Sequence, residues 1–308
     1  MACYKPLKAF RTPKGDIIFS KTTQYAYVEK LNLSCGQCVG CRLEKSRQWA
    51  TRCMHEASLH EKNCFITLTY DNEHLPAGGS LHYPDFQKFI KRFRKAYPGR
   101  TIRYYMAGEY GSTFSRPHFH ACIFGFDFDD KELWKRTASN SLLYTSKDLE
   151  KLWSFGYSSV GDVTFESAAY VARYIMQKYN GELDQEGNHI KKEEHYQFCD
   201  LATGELITLE PEFNRMSLKP GIGANWLEKY SSDVYPHDYI EVRGKLANPP
   251  RYYDKLIQKK MTIYEWQEIL DKREQRAKLK PEEKTAERLA AKEAVTKAKL
   301  KKLLRKIA

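Results

Sequence analysis

The sequence predicts an α+β protein, in which a central antiparallel sheet is flanked by helices. A cysteine-rich N-terminal segment precedes this core and a basic helical tail follows it. Three observations carry that prediction. β-prone runs recur at "CFITLTY", "TIRYYMAGEY" and "HFHACIFGF". Segments with apolar residues at helical spacing are interspersed among them. Two of the runs are joined only by the turn "GSTFSRP", so neighbouring strands run antiparallel.

The elements follow in order. Residues 1 to about 60 read as irregular and cysteine-rich, turning helical through "GCRLEKSRQWATRCMHEASLH". In "CFITLTY", Ile66 and Leu68 alternate with Thr67 and Thr69, the period of a half-buried strand. The loop "DNEHLPAGGS" leads to a helix over "YPDFQKFIKRFRKAY", where Phe86, Phe89, Ile90 and Phe93 share one face. After "PGR" come the second strand, the short turn and the third strand. Residues 145–153 read as helix, "GYSSVGDV" as strand, and "FESAAYVARYIMQKY" as a helix capped by Thr164. Residues 180–215 are polar with weak periodicity, and Gly and Pro punctuate 219–250. A long charged helix is expected from about 252 to the end, interrupted near Pro281. The expected division is a cysteine-rich region (1–60), a core (61–180), a loop-rich extension (181–251) and a basic helical tail (252–308).

At 308 residues and 36.0 kDa the chain is long enough to bury a real core, and its mean hydropathy of −0.67 is that of a globular protein with charged extensions. No run approaches the length needed to cross a bilayer, and "MACYKPLKAFRTPKG" lacks the apolar stretch of a signal peptide. The expectation is a cytoplasmic protein whose eight cysteines are thiols or metal ligands rather than disulfides. The net charge of +12 is unevenly spread: from Lys272 to Ala308 there are fourteen Lys/Arg against five Asp/Glu, a net of +9. Such a tail suits a polyanion, nucleic acid above all, beside the plainer role of a solvated helix.

Several residues point to chemistry. His118 and His120 sit at i and i+2 of one strand, so both imidazoles leave the same face. If the strands pair as a hairpin, Glu109 lies across from them. Two imidazoles and a carboxylate make an open-sided site for a divalent ion that also holds a phosphate oxygen. A surface carboxylate beside hydrogen-bonded core histidines is the competing reading. In "AAYVARYIMQKY", Ala168, Val171, Ala172 and Ile175 form an apolar face, while Tyr170, Tyr174, Lys178, Gln177 and Arg173 fall on the other. "CGQCVGC" sets Cys35, Cys38 and Cys41 at C-x2-C-x2-C spacing, a pattern that most often holds zinc. The candidates for the fourth ligand are Cys53, Cys3 and His55, with Cys53 preferred; an iron–sulfur cluster is the alternative occupant. "KPGIGANW" offers flexible amides near Lys219, a candidate phosphate contact beside its reading as a plain turn.

Taken together these pieces resemble the HUH endonucleases that start rolling-circle DNA replication, especially the replication initiators of microviruses and their gokushovirus branch. The hydrophobic–threonine strand matches "FITLTY" (65–70), the two histidines around a bulky hydrophobe match "HFH" (118–120), and the two-tyrosine helix matches "YVARY" (170–174). "CGQCVGC", "GEYG" and "PRYYDK" look like that branch as well. Arg173 stands where many relatives carry lysine.

The resemblance implies an HUH core and a strand-specific cleavage in which Tyr170 or Tyr174 captures a 5′ phosphate. It implies Mg²⁺ or Mn²⁺ held by Glu109, His118 and His120, with Lys178 assisting the tyrosines and Arg173 contacting phosphate. The implied partners are single-stranded and replicative-form viral DNA and the host helicase and polymerase, in the cytoplasm of a bacterial host and without a membrane. Two other classes compete. A non-haem iron oxygenase would share the ligand types but has no use for paired tyrosines. A zinc-stabilised, non-enzymatic DNA-binding protein would bind in a salt-sensitive way and form no covalent adduct.

Overall fold

The computed structural model of the chain describes residues 3–20, 29–111, 114–137, 140–177, 196–199, 203–279 and 281–304, with 173–177 and 301–304 described by backbone alone. The chain opens with strands β1 (Leu7–Arg11), β2 (Ile17–Ile18) and β3 (Glu29–Leu33), followed by helix α1 (Val39–Ala57). Next come β4 (Asn63–Tyr70), α2 (Tyr83–Ala96), β5 (Arg103–Tyr110) and β6 (Pro117–Phe124). Strands β7 (Glu132–Arg136) and β8 (Leu142–Thr145) precede α3 (Lys147–Leu152), β9 (Gly156–Gly161) and α4 (Phe165–Gln177). Beyond these lie β10 (Gln197–Cys199), β11 (Leu206–Thr208), β12 (Phe213–Met216) and α5 (Ala224–Val234). The chain continues through β13 (Ile240–Val242), β14 (Lys245–Ala247), α6 (Arg251–Ile257), α7 (Ile263–Lys278) and α8 (Ala286–Leu304). Two compact units result: Ser46–Met261, and a second formed by Met1–Lys45 with Thr262–Ala308.

In the larger unit, seven antiparallel strands form one sheet in the order β12-β5-β6-β4-β9-β8-β7. The alternation of β4 decides what each face meets. Cys64, Ile66, Leu68 and Tyr70 are fully buried on one side, while Phe65, Thr67 and Thr69 point to the other. The first side packs against α2, whose Phe86, Phe89, Ile90 and Phe93 are all buried, and against Trp153 beyond α3. Each such side chain contributes roughly 1.5–3 kcal/mol of burial. The other side meets Ala50, Cys53 and Ala57 of α1 and Ala168, Val171 and Ala172 of α4. Thr164 caps α4, its Oγ1 accepting from the Ser167 N–H at 3.1 Å. An α+β protein with a large antiparallel sheet flanked by helices is therefore what the sequence folds into.

A buried ion pair fastens the turn after β12. Glu56 of α1 accepts from Arg103 Nε and from the Gly223 N–H, and Arg103 donates to the Pro220 carbonyl at 2.7 Å. Arg52 donates to the Ile222 carbonyl at 3.0 Å. In the smaller unit, β2-β1-β3 form an antiparallel sheet, and the Tyr4 hydroxyl lies 2.9 Å from Thr296 Oγ1 of α8.

Several elements differ from the sequence expectation. The N-terminal region is not irregular but carries β1–β3, and β12 adds an edge strand to the main sheet. Helix α5 forms within the Gly/Pro-punctuated stretch. The long C-terminal helix is broken before Ile263, where Thr262 and Glu265 make a reciprocal capping box that starts α7 afresh. Part of the 180–215 segment lies outside the described residues. Among the described residues no helix is long and apolar enough to cross a membrane.

Candidate active site

The site is assembled by strand register. β5 and β6 pair so that Glu109 stands opposite His118 and Ala107 opposite His120; β4 places Thr69 beside His118 and Thr67 beside His120. Residues opposite one another in adjacent strands share a face, so all of these point to the side covered by α4. His118 Nε2 and His120 Nε2 converge on a single oxygen, Glu109 Oε1, at 2.6 and 2.8 Å.

The outer nitrogens fix the rings. His118 Nδ1 faces the Arg116 carbonyl at 3.0 Å, and a carbonyl can only accept. His118 therefore carries its proton on Nδ1, and in the neutral ring Nε2 presents a lone pair to the carboxylate. Two acceptors 2.6 Å apart repel unless the ring is protonated or a cation joins them. His120 Nδ1 lies 2.9 Å from Thr67 Oγ1, and its ring stacks on Phe65. Oriented imidazoles with their outer nitrogens tied down are what a metal centre requires.

Burial opposes the Glu109 carboxylate, but hydrogen bonds and charge from both histidines outweigh it and hold its pKa below the ordinary glutamate value. Burial also opposes charge on His118, yet Glu109 raises its pKa above the usual imidazole value. In His120 burial wins and the pKa falls.

The donor set fits a divalent ion. One ligand atom from each of Glu109, His118 and His120 lies within 4.8 Å of the others. Glu109 Oε2 is buried and has no hydrogen-bond partner among the described residues, which leaves a carboxylate oxygen in reserve for a cation. Helix α4 carries Tyr170 to this point: its hydroxyl lies 3.4 Å from Glu109 Oε1, and its ring meets that of His120 edge-on. Tyr174 and Arg173 are described by backbone alone, one turn and less than one turn further along α4, and Lys178 lies outside the described residues.

Lys219 is exposed, next to the Pro220 that Arg103 holds. Arg103 begins β5 and Glu109 stands six residues on, about 20 Å of extended strand, so the structure does not bring Lys219 to the ion-binding end. Tyr157, by contrast, drew no attention in the sequence. It is 71% exposed and opposite Thr69, so Glu109, His118, Thr69 and Tyr157 form one row across four strands. The signal was its place on the alternating strand "GYSSVG", which means nothing until the register is known.

A second group lies elsewhere. The sulfurs of Cys3, Cys35, Cys38 and Cys41 are all within 4.8 Å of one another. Cys53, the preferred fourth member on sequence grounds, does not join them. It stands twelve residues beyond Cys41 along α1, about 18 Å of helical rise, and is fully buried in the sheet-facing core. His55 stacks instead on Trp226, with ring centroids 3.5 Å apart. Cys3 takes the place.

The fold and the site define an α+β protein with a two-histidine, one-carboxylate ion-binding centre beside a tyrosine-bearing helix. Residues 63–179 match the family described as Replication-associated protein ORF2, a span that runs from β4 just past α4. Replication-associated protein VP4 of Bdellovibrio phage phiMH2K is 34% identical over 261 residues, covering 82% of this chain and 76% of that protein. Replication-associated protein ORF2 of Spiroplasma virus 4 is 31% identical over 307 residues, covering 90% and 87%. Replication-associated protein ORF4 of Chlamydia phage 1 is 32% identical over 235 residues, covering 74% and 54%. No solved structure matches. The chain belongs to the replication-associated proteins of microviruses, small phages.

Proposed function

We propose that this protein initiates viral DNA replication as an HUH endonuclease, nicking one strand of the replicative form and holding the new 5′ end as a phosphotyrosine. The observation that supports this most directly is the Tyr170 hydroxyl 3.4 Å from Glu109 Oε1, the oxygen on which both histidines converge. Glu109, His118 and His120 are the residues that would hold Mg²⁺ or Mn²⁺, and the bound ion supplies Lewis-acid polarisation of the scissile phosphate. Imidazole is an unusual ligand for Mg²⁺, which favours Mn²⁺ in vitro.

The tyrosine oxygen forms a bond to phosphorus as the bond to the 3′ oxygen breaks, and the phenol proton is lost while the 3′ oxygen gains one. A phenol with an ordinary pKa near ~10 needs help to lose its proton at neutral pH. Glu109 orients the Tyr170 hydroxyl by accepting from it, and Lys178, one turn beyond Tyr174, would stabilise the phenolate. The phosphodiester energy is kept in the protein–DNA bond, and the free 3′-hydroxyl primes the host polymerase. Tyr174, one helical turn from Tyr170, provides a second nucleophile, so a regenerated origin can be cut and the displaced strand closed into a circle. Arg173 would contact phosphate near the cut, and Lys219 would contact the DNA backbone away from it. The basic tail adds sequence-independent affinity for the polyanion. The reaction belongs in the cytoplasm of the bacterial host, alongside the host helicase.

The test is an SDS gel of the protein mixed with Mn²⁺ and labelled circular single-stranded or supercoiled DNA of its own replicon. A DNA–protein band should survive SDS, require the metal, be lost in the Tyr170→Phe/Tyr174→Phe double variant and in His120→Ala, and persist in part in each single tyrosine variant. Salt-sensitive binding with no adduct on either DNA would replace this reading with that of a non-enzymatic DNA-binding protein.

A further inference from the structure

We infer that Cys3, Cys35, Cys38 and Cys41 bind one zinc ion as a four-thiolate structural site that closes the N-terminus onto the start of α1. Four observations carry it. First, the spacing is that of a single-ion site. A Zn–S bond of ~2.3 Å sets the sulfurs of a regular tetrahedron ~3.8 Å apart. The separations here are 3.7 Å for Cys3–Cys35, 3.9 Å for Cys35–Cys41 and 4.0 Å for Cys38–Cys3. A polynuclear iron–sulfur cluster would hold its thiolates wider apart.

Second, backbone amides are aimed at the sulfurs. The N–H of Cys35 donates to Cys3 Sγ, that of Cys38 to Cys35 Sγ and that of Tyr4 to Cys38 Sγ, each at 3.3 Å. Such bonds serve a thiolate, since a neutral thiol is a weak acceptor. Gly36, at φ +77°, allows the tight turn that brings the Cys38 N–H back onto Cys35. Third, Cys38 immediately precedes α1 and Cys41 lies in its first turn, where the exposed N–H groups and the helix dipole favour negative charge.

The fourth observation is independent of the cysteine geometry. Among the described residues of the unit formed by 1–45 and 262–308, the buried hydrophobic side chains are Cys3, Ala9, Cys38 and Ile269. Two of these four are the cysteines themselves. So thin a core cannot offset the entropy of ordering β1–β3 and the C-terminal helices, and small units of this kind rely on a metal or a disulfide. The eight cysteines are free thiols, so the metal remains. Cys3 lies 32 residues from Cys35, and the ion would close that loop.

The experiment is metal analysis of the full-length protein purified without chelator, with release by a mercurial thiol reagent followed by a colorimetric zinc indicator. One zinc per chain, released on thiol modification, is expected. Cys3→Ser and Cys41→Ser should lose it, while Cys53→Ala should keep it. If the serine variants do not fold, Co²⁺ exchanged into the wild-type chain decides: the intense visible bands of a tetrahedral tetrathiolate centre are expected. A wild-type chain without zinc, iron with labile sulfide in its place, a Cys3→Ser chain with full zinc, a Cys53→Ala chain that loses it, or Co²⁺ bands of fewer than four thiolates would each overturn the assignment.

Discussion

Truncation of Glu56 to alanine tests whether the turn after β12 is held as described. Glu56 is 1% exposed and Arg103 8%, so the ion pair between them is shielded from water. The carboxylate has two duties, one oxygen accepting from Arg103 Nε and the other from the Gly223 N–H at 2.7 Å. Removing it strands a buried guanidinium without its counter-charge and leaves a buried N–H without its acceptor. Breaking a buried pair on one side costs about 3–5 kcal/mol, and an orphaned donor about 1–3 kcal/mol. The two losses share one carboxylate and do not add, so about 4 kcal/mol is expected, a fall on the order of 10 °C in the unfolding of a unit this size. Calorimetry of the full chain reads this directly. Glu56→Gln, which keeps an acceptor but no charge, should fall between. In an Arg103→Met background, Glu56→Met should cost much less than Glu56→Ala does in the wild type. A fall of only about a degree for Glu56→Ala, or an unchanged cost in the Arg103→Met background, would show that the pair is solvated and the reasoning wrong.

Three further outcomes follow from single residues. His55, stacked on Trp226 and within 2.9 Å of the Tyr253 hydroxyl, has its pKa lowered by burial from 6.5 to about 4. The unfolded chain binds this proton near pH 6.5 and the folded chain does not, so stability is complete above that value. It should decline by about 3 kcal/mol as pH falls toward 4; urea midpoints across that window should flatten in His55→Phe, and an unchanged slope would contradict the account. Gly156 has φ +144°, and a Cβ there would meet the Asp71 nitrogen at 2.3 Å and the Thr69 carbonyl at 2.5 Å. Gly156→Ala should therefore destabilise by on the order of 3 kcal/mol, and a wild-type thermal melt would refute this. Tyr157→Ala should weaken single-stranded oligonucleotide binding about tenfold, as expected for one lost base stack, while Tyr157→Phe should not; equal affinity for all three proteins in fluorescence anisotropy would remove Tyr157 from the DNA path.

What the sequence made legible follows from how strongly burial writes itself into periodicity. β4, with its buried and half-buried residues in strict alternation, and α2, with four buried apolar residues on one face, were readable because one side of each meets a core. β7 is exposed along its whole length, and β12 is a four-residue edge strand, so neither carries a pattern that distinguishes it from loop. The break before α7 was written in the sequence as Thr262-x-x-Glu265, but a run of charged residues on either side concealed it. At the candidate site, the histidines declare themselves through i, i+2 spacing within one strand. Their relation to Tyr170, fifty residues on, depends on how α4 crosses the sheet, which no local pattern encodes. Cys3 illustrates the same limit: its distance in sequence from Cys35 gives no hint of contact, whereas Cys53 shares a helix with Cys41 and is excluded by that helix's length.

The central claim is that a tyrosine of α4 becomes joined to DNA beside Glu109, His118 and His120. The most direct measurement is mass spectrometry of the protein–DNA adduct after exhaustive nuclease and protease digestion. A nucleotide linked through its 5′ phosphate to Tyr170 or Tyr174, on peptides from 165–178 alone, is the result predicted. A nucleotide on any other residue, or nicked DNA with no peptide bearing one, would contradict the account.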